Sequence, residues 1–511
     1  MKHGSPSFVV AAVLTAAAPL RAQAQGTPPA AAVRLAIASI TESDFRERLS
    51  VIAHDSMRGR ATPSPGLENT AAYIADAFHR FGLRPGGDGG TYLQRYPIIL
   101  TRLDSGAALV ARVGDVEGRW LLGRDVLHAP RAPGDLSGAP VVVMTGIPPD
   151  TSHPFGALDV RGAVVFSETP RDLLRAAATA GARAWIYLLN ASTAEWARDY
   201  TGVPPPQVEV PGLPSSLPIP MLFMSDSAAA AILAAAGIGL AALRDTCQYS
   251  VRTLPDATVE IAGRVRSRTT TSAPNVIGAL EGSDARLRDE YVLITAHMDH
   301  LGAAGEGWGC AAEGGDSICN GADDNGSGTI GVVMLAQAFA RLSPGPRRTL
   351  IFMAVSGEEH TDTWGSLWWA SHPTYPIAQV VADLNIDAIG RNSPDTVGVV
   401  GKEFSTLGDV TDRITREHPE LGMRLAAGAP YFYGQSDNLS FAQAGVPAVF
   451  FFNGPHPELH TPRDEVDRID AEKAARILRM IFYVALEVAN ALERPRWNPA
   501  APNWIMGGER Q

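Results

Sequence analysis

Cysteine is scarce. The 511-residue chain has three, Cys247, Cys310 and Cys319, and no CxxC pair, which excludes a thiolate-rich zinc site. Cys310 and Cys319 share one loop. They can bridge in an oxidising compartment, leaving Cys247 over, or stay as two thiols. Long apolar runs are also missing: beyond the N-terminus no stretch approaches the ~20 consecutive apolar residues of a membrane helix. Positive charge is short. Lys and Arg number 43 against 54 Asp and Glu, a formal charge of −11, which argues against nucleic acid or an anionic membrane as partner. There is no internal repeat, and nothing in the sequence sets an oligomeric state.

What is present is an ordinary globular mix, 45% hydrophobic and 19% charged, with apolar content enough to bury a core. The length suggests about two or three domains. The N-terminus reads as an export signal over residues 1–24. Lys2 and His3 precede an apolar run at 8–20, and Ala22-Gln23-Ala24 supplies a small-x-small cleavage site after Ala24. The run is too short to span a bilayer, and no Cys follows the site to take a lipid anchor. A periplasmic or extracellular location is expected.

Residues 25–105 read as leader helices that pack on a larger domain. Ser64-Pro65 offers a cap and a first-turn proline, Ile74, Phe78 and Phe81 recur at helical spacing, and Gly82 stops the helix. Residues 106–257 differ in texture. Short β-like runs at 141–144, 163–166 and 185–189 alternate with turns, and helices are expected at 171–180 and 225–236. This stretch holds no cluster of His, Cys or carboxylates, so a non-catalytic β-rich insert is the simpler reading. From 258 to 495 strand and helix alternate. The apolar runs 291–296, 349–355, 381–386 and 448–452 suit central strands covered on both faces. Helices are expected at 329–342 and at 471–492, the latter capped by Asp470. The class is therefore α/β, with a mostly parallel central sheet. Residues 496–511 read as an irregular tail.

In such folds ligands sit beyond the C-terminal ends of the strands, and metal-ligand residue types gather there. The first run delivers His297 and Asp299. A Gly-rich loop presents Asp323 and Asp324 just before a helix. Ser356-Gly357-Glu358-Glu359 follows the second run, Asn385-Ile386-Asp387 ends the third, and His460 comes late, in ELHTPRDEVD. Singly each has a bland reading: a strand histidine is more often structural, and acidic turns are usually solvated. Jointly, imidazoles and carboxylates at one sheet edge suit Zn²⁺ or another divalent metal. Their number exceeds what one ion needs, and two ions bridged by a carboxylate would use them all.

The motifs AHMDHLG, GADDNGSG, SGEE, LNIDAIG and LHTPRDEVD, in that order, resemble those of the co-catalytic di-zinc exopeptidases, a family of secreted aminopeptidases with glutamate carboxypeptidase and the non-catalytic transferrin receptor among its relatives. The resemblance implies that residues 106–257 are a protease-associated insert and 258–495 the catalytic domain. It implies two Zn²⁺ per chain and peptide substrates. His297 and Asp387 would bind one ion, Glu359 and His460 the other, and Asp324 would bridge them. Asp299 would orient His297, Glu358 would be the general base toward a metal-bridging water, and the peptide bond Asp324–Asn325 would be cis. Relatives often carry a Tyr where this chain has Leu459. Tyr433, three residues before Ser436-Asp437, is the nominee for the oxyanion, and wall packing is its alternative. His300 is expected to be structural and His360 a loop residue. Tyr431, Tyr433, Phe432 and the 364–369 region are candidate pocket lining, with core packing equally open.

The expected activity is that of an exported zinc aminopeptidase. A carboxypeptidase or dipeptidase on the same scaffold would need a basic cluster, to which Arg391 and Arg463 can contribute. A non-catalytic receptor-like protein is disfavoured because the whole ligand set and Glu358 are present.

Overall fold

The computed structural model of the chain describes residue 1 and residues 28–506, apart from 129–135, 169–172, 189–203, 205, 215–217, 245–246, 307, 361 and 500. Beyond residue 1, the expected export segment lies outside the described residues. So do the start of the expected helix 171–180, the end of the expected strand 185–189 and residues 507–511 of the tail. No helix among the described residues is long and apolar enough to cross a membrane.

The larger sheet is built from β1 (Leu93–Leu103), β2 (Gln207–Glu209), β3 (Val265–Leu280), β4 (Tyr291–His297), β5 (Thr349–Val355), β6 (Val380–Asp387), β7 (Thr396–Val400), β8 (Arg424–Ala427) and β9 (Ala448–Phe452), in the order β8-β7-β9-β6-β4-β5-β3-β1-β2. Its centre, β5-β4-β6-β9, is parallel. These strands are the apolar runs read from the sequence, and β4, β5 and β6 are buried along their length except for Tyr291. The flank β5-β3-β1-β2 is antiparallel, as is β7 on β9, so the sheet is mixed around a parallel core.

Helices cover that core. α1 (Pro65–Arg80) starts on the Ser64 side chain, which accepts from Leu67 N at 3.1 Å. α2 (Gly328–Ala340) is buried almost all round, as a helix packed inside a sheet layer must be. α3 (Ala471–Asn490) begins on Asp470, whose carboxylate accepts from Lys473 N at 2.9 Å. Phe352 of β5 meets Phe78 of α1 and Phe339 of α2, with ring centroids 6.5 and 6.1 Å away. The leader is thus part of the core of the larger sheet.

A second, eight-stranded sheet takes its strands from residues 108–128, 139–188 and 221–262, with its own apolar core. Its longest strand, Ser250–Ala262, runs past residue 257. The long antiparallel pair β1–β3 links the two sheets, and β2 returns from the insert to pair with β1. The tail is docked: Ile505 is fully buried with Val400, Phe404 and Tyr433.

Truncating Phe352 to Ala would remove the contact shared by leader, sheet and α2. A loss of about 3–5 kcal/mol is expected for such a buried aromatic, read as a lower unfolding midpoint of the larger domain; an unchanged midpoint would contradict the packing.

Candidate metal centre

The parallel register sets the site. His297 is the last residue of β4 and lies opposite Val355, the last of β5, so the turn 356–359 leaves the sheet beside it. Asp387 ends the neighbouring strand β6. Asp324 arrives from the turn that opens α2, held from behind by Asp464, whose carboxylate accepts from Asp323 N at 3.0 Å and Asp324 N at 3.0 Å. Asn325 locks the same turn, donating to Ile386 O at 2.9 Å and accepting from Gly328 N at 2.8 Å. The Asp324–Asn325 bond is cis. Gly321 precedes this turn with φ +56°; a Cβ there would lie 2.2 Å from Asp324 O and 2.4 Å from the His300 ring, so only glycine fits.

His297 Nε2 lies 3.4 Å from Asp324 Oδ1, 3.3 Å from Asp387 Oδ2 and 3.7 Å from Glu358 Oε2. The other oxygen of Asp324 faces the opposite way, 3.0 Å from His460 Nε2, which is itself 3.3 Å from Glu359 Oε2. Asp324 therefore stands between two donor sets. His297, Asp324 and Glu359 offer ligand atoms within 4.8 Å of one another, as do His297, Glu358 and Asp387. Glu358 lies slightly farther from His297 than the expected ligands Asp324 and Asp387 do.

These groups fit a metal. His297 Nε2 is buried with no hydrogen-bond partner. Its carboxylate neighbours are too far for strong hydrogen bonds, whereas a tetrahedral ion with ligands at about 2.0–2.2 Å spaces its ligand atoms roughly 3.4 Å apart. Imidazole nitrogens mixed with carboxylate oxygens are the donor set of a borderline divalent cation. Two turns at the site also hold non-glycine residues in left-handed backbone, Ala388 (φ 47°) directly after Asp387 and His460 itself (φ 58°). Each costs about 1–3 kcal/mol, a burden typical of functional turns.

Electrostatics follow from burial and crowding. Burial drives the Glu358 carboxyl well above the usual carboxylate range; His297 opposes the shift, and Glu359, Asp387 and Asp437 add to it. Burial also works against ionised Asp324, yet the facing imidazoles of His297 and His460, with His300 nearby, hold it well below that range. Burial, opposed by His297, raises Asp387 and pushes Asp437 to about 7.

Asp299 joins several parts of the site. Its main-chain carbonyl is the hydrogen-bond partner of His297 Nδ1 at 3.3 Å, its Oδ1 lies 3.7 Å from the same nitrogen, and its Oδ2 accepts from Gly357 N at 2.7 Å, in the turn that carries Glu358. His300 is more than structural: its Nδ1 is 2.6 Å from Glu359 Oε1. His360 is no loose loop residue either. It is buried, stacked on Trp364 at 3.9 Å and met edge-on by Trp308 at 5.5 Å. Trp308 belongs to the loop that Cys310 and Cys319 bridge; Cys247 is exposed and outside the bridge. That loop forms one wall of the site, with Glu313 paired to Arg463 and Glu306 to Arg58.

Tyr433 is a correction. It is fully buried among Val400, Phe404 and Phe450, and its hydroxyl donates to Ala448 O at 3.1 Å. Ala448 starts β9 and pairs with Asp383 in the middle of β6, whereas Asp387 pairs with Phe452 at the other end of β9. The hydroxyl cannot face a substrate at the centre, and wall packing is the observed role. The spacing to Ser436-Asp437 misled because Ser436, not the tyrosine, reaches the site: its Oγ donates to Asp387 Oδ2 at 3.0 Å. Of the other pocket candidates, Trp369 is core and Tyr431 is exposed. Phe432 does line a cavity of about 180 Å³ with Val400, Ala429, Phe452 and Asn453. Phe452 is the register partner of Asp387, so this cavity adjoins the centre.

The model of peptidase family M28 matches residues 275–485. A probable leucine aminopeptidase of Arthroderma otae is 26% identical over 216 residues, 40% of this chain and 55% of the relative; its counterpart in Trichophyton verrucosum is 28% identical over the same shares. The chain thus spans about half the length of the curated relatives it matches. An aminopeptidase from Aneurinibacillus sp. strain AM-1 superposes with a TM-score of 0.58 at 18% identity, covering 91% of this chain and 98% of that one. A zinc aminopeptidase from Bacillus subtilis gives 0.53 at 16% identity, over 88% and 96% of the two chains. These structures share the fold. Over residues 275–485 the chain is similar to peptidase family M28.

Proposed function

We propose that this protein is an exported aminopeptidase that binds two zinc ions and removes N-terminal residues from peptides. The observation that carries the reading is Asp324, whose two oxygens face separate donor sets, His297 with Asp387 and Glu359 with His460. One set would hold each ion and Asp324 would belong to both. The Cys310–Cys319 bridge supports export, since such bonds persist in oxidising compartments. Residues 106–257 read as a protease-associated insert.

Zinc, when bound, polarises a carbonyl and lowers the pKa of water toward about 7. The chain supplies the proton handling. Glu358 keeps 11% of its side chain exposed. Its place 3.7 Å from His297 fits a group that takes a proton from water and passes it to the leaving amine. Asp299 would hold His297 in one orientation, and His300 would do the same for Glu359. A free α-amino group suits the acidic surroundings. The cavity beside Phe432 and Phe452 would take an apolar side chain, in line with the name leucine aminopeptidase carried by the relatives. For the carboxypeptidase alternative, Arg463 is paired with Glu313 and Arg391 with Glu458 through Nη2, while Arg391 Nη1 has no hydrogen-bond partner, so the choice of substrate decides between the two readings.

Three outcomes are expected. Leucine p-nitroanilide is cleaved in preference to N-blocked dipeptides; the reverse preference would contradict the aminopeptidase reading. Glu358→Ala lowers kcat by at least about 10²-fold while zinc content is unchanged; a fully active variant would remove Glu358 as the base. Activity falls between about pH 8 and pH 4, because histidine and carboxylate ligands must be deprotonated to hold metal; a flat profile would contradict the metal assignment.

A further inference from the structure

The matched region starts at residue 275, yet part of the centre comes from the leader. Thr62 is buried, and its hydroxyl donates to Asp299 Oδ2 at 2.7 Å. Gly357 N reaches both oxygens, Asp299 Oδ2 at 2.7 Å and Thr62 Oγ1 at 3.1 Å. The opposite carboxylate oxygen, Asp299 Oδ1, accepts from Glu358 N at 3.4 Å and lies 3.7 Å from His297 Nδ1. Thr62 also meets the far end of the same turn, its carbonyl 3.1 Å from His360 Nε2.

The leader segment that carries Thr62 is itself anchored. Arg60 is fully buried and donates to Met298 O at 2.9 Å, Asn320 O at 2.6 Å and Gly321 O at 3.0 Å, the residues that flank His297 and lead into the Asp324 turn. Every one of these acceptors is a main-chain carbonyl. The guanidinium thus clamps backbone, and its charge stands behind Asp299, Asp324 and Glu359.

We propose that Thr62 is a positioning residue of the metal centre, acting through Asp299 on both His297 and the turn that carries Glu358. This rests on the reading of the centre given above. A hydroxyl donating to an ionised carboxylate makes a short, strong hydrogen bond. It fixes the rotation of the Asp299 carboxylate, which receives the amides of Gly357 and Glu358 and sets the negative charge 3.7 Å from His297 Nδ1, while the Asp299 carbonyl holds that nitrogen at 3.3 Å. Without the hydroxyl, Asp299 keeps its two amide donors, and Gly357 N keeps Asp299 as acceptor. Folding therefore does not depend on it.

The test compares Thr62→Val, which keeps the shape and removes the donor, with Thr62→Ser, which keeps the donor. Both are made in the full chain. Zn²⁺ affinity is measured by competition with a chromophoric chelator, kcat and KM on leucine p-nitroanilide, and melting on the metal-free protein. Thr62→Val is expected to weaken Zn²⁺ binding or lower kcat by about 10–100-fold, the usual cost of losing a partner of a ligand's support. KM stays near wild type, metal-free melting falls only by what one buried hydrogen bond supplies, and Thr62→Ser stays near wild type throughout. Two results would overturn the proposal: Thr62→Val that binds zinc and turns over like wild type, or Thr62→Ser as impaired as Thr62→Val. Should Thr62→Val not fold, Thr62→Ala against Thr62→Ser makes the same comparison. If the wild-type protein cleaves no anilide, the aminopeptidase reading fails, and the zinc affinities still decide the role of Thr62.

Discussion

Asp324, Glu358, Glu359 and Asp387 hold their carboxylates within a few ångströms of His297 and His460, most of them out of contact with water. Like charges so placed repel strongly in a low-dielectric interior. The cluster persists only because surrounding structure forces it. The parallel register of β4, β5 and β6 brings three chain ends to one edge, Asp464 and Asn325 lock the Asp324 turn, and Arg60 places a buried cation behind the acids. Cations of high charge are the natural complement of such an arrangement, and the site is best understood as a frame built to receive them.

The frame reaches further along the chain than the matched family region. Arg60 and Thr62 come from the leader and hold main-chain and carboxylate atoms beside the ligands. The loop bridged by Cys310 and Cys319 brings Trp308 against His360 and Glu313 against Arg463. The wall of the site and the support of its ligands are thus continuous with the helices that pack on the sheet. The insert stands apart from this, with its own sheet and core, and returns to the larger sheet through β1, β2 and β3.

Much of this was legible in the sequence where one residue pattern had one physical meaning. The runs at 349–355 and 448–452 are β5 and β9 to the residue, because a strand buried on both faces must be continuously apolar. Ser64-Pro65 starts α1 and Asp470 starts α3, because a cap acts within its own turn. His297, Asp324, Glu359, Asp387 and His460 do converge. What escaped depends on tertiary contacts with no local signature. The outer half of β3 is exposed and polar, and becomes a strand only by pairing with β1. Tyr433 has the spacing of a site residue and the burial of a core one. Thr62, Arg60 and His300 serve the site through hydrogen bonds to residues far along the chain, which no periodicity encodes.

The proposed placement of Asp324 between two ions is the point on which the rest turns. Anomalous diffraction at the zinc edge, on crystals of the zinc-loaded protein, tests it most directly. Two peaks are predicted, one beside His297 and Asp387 and one beside Glu359 and His460, with the Asp324 carboxylate touching both. A single peak, or zinc bound away from Asp324, would contradict it.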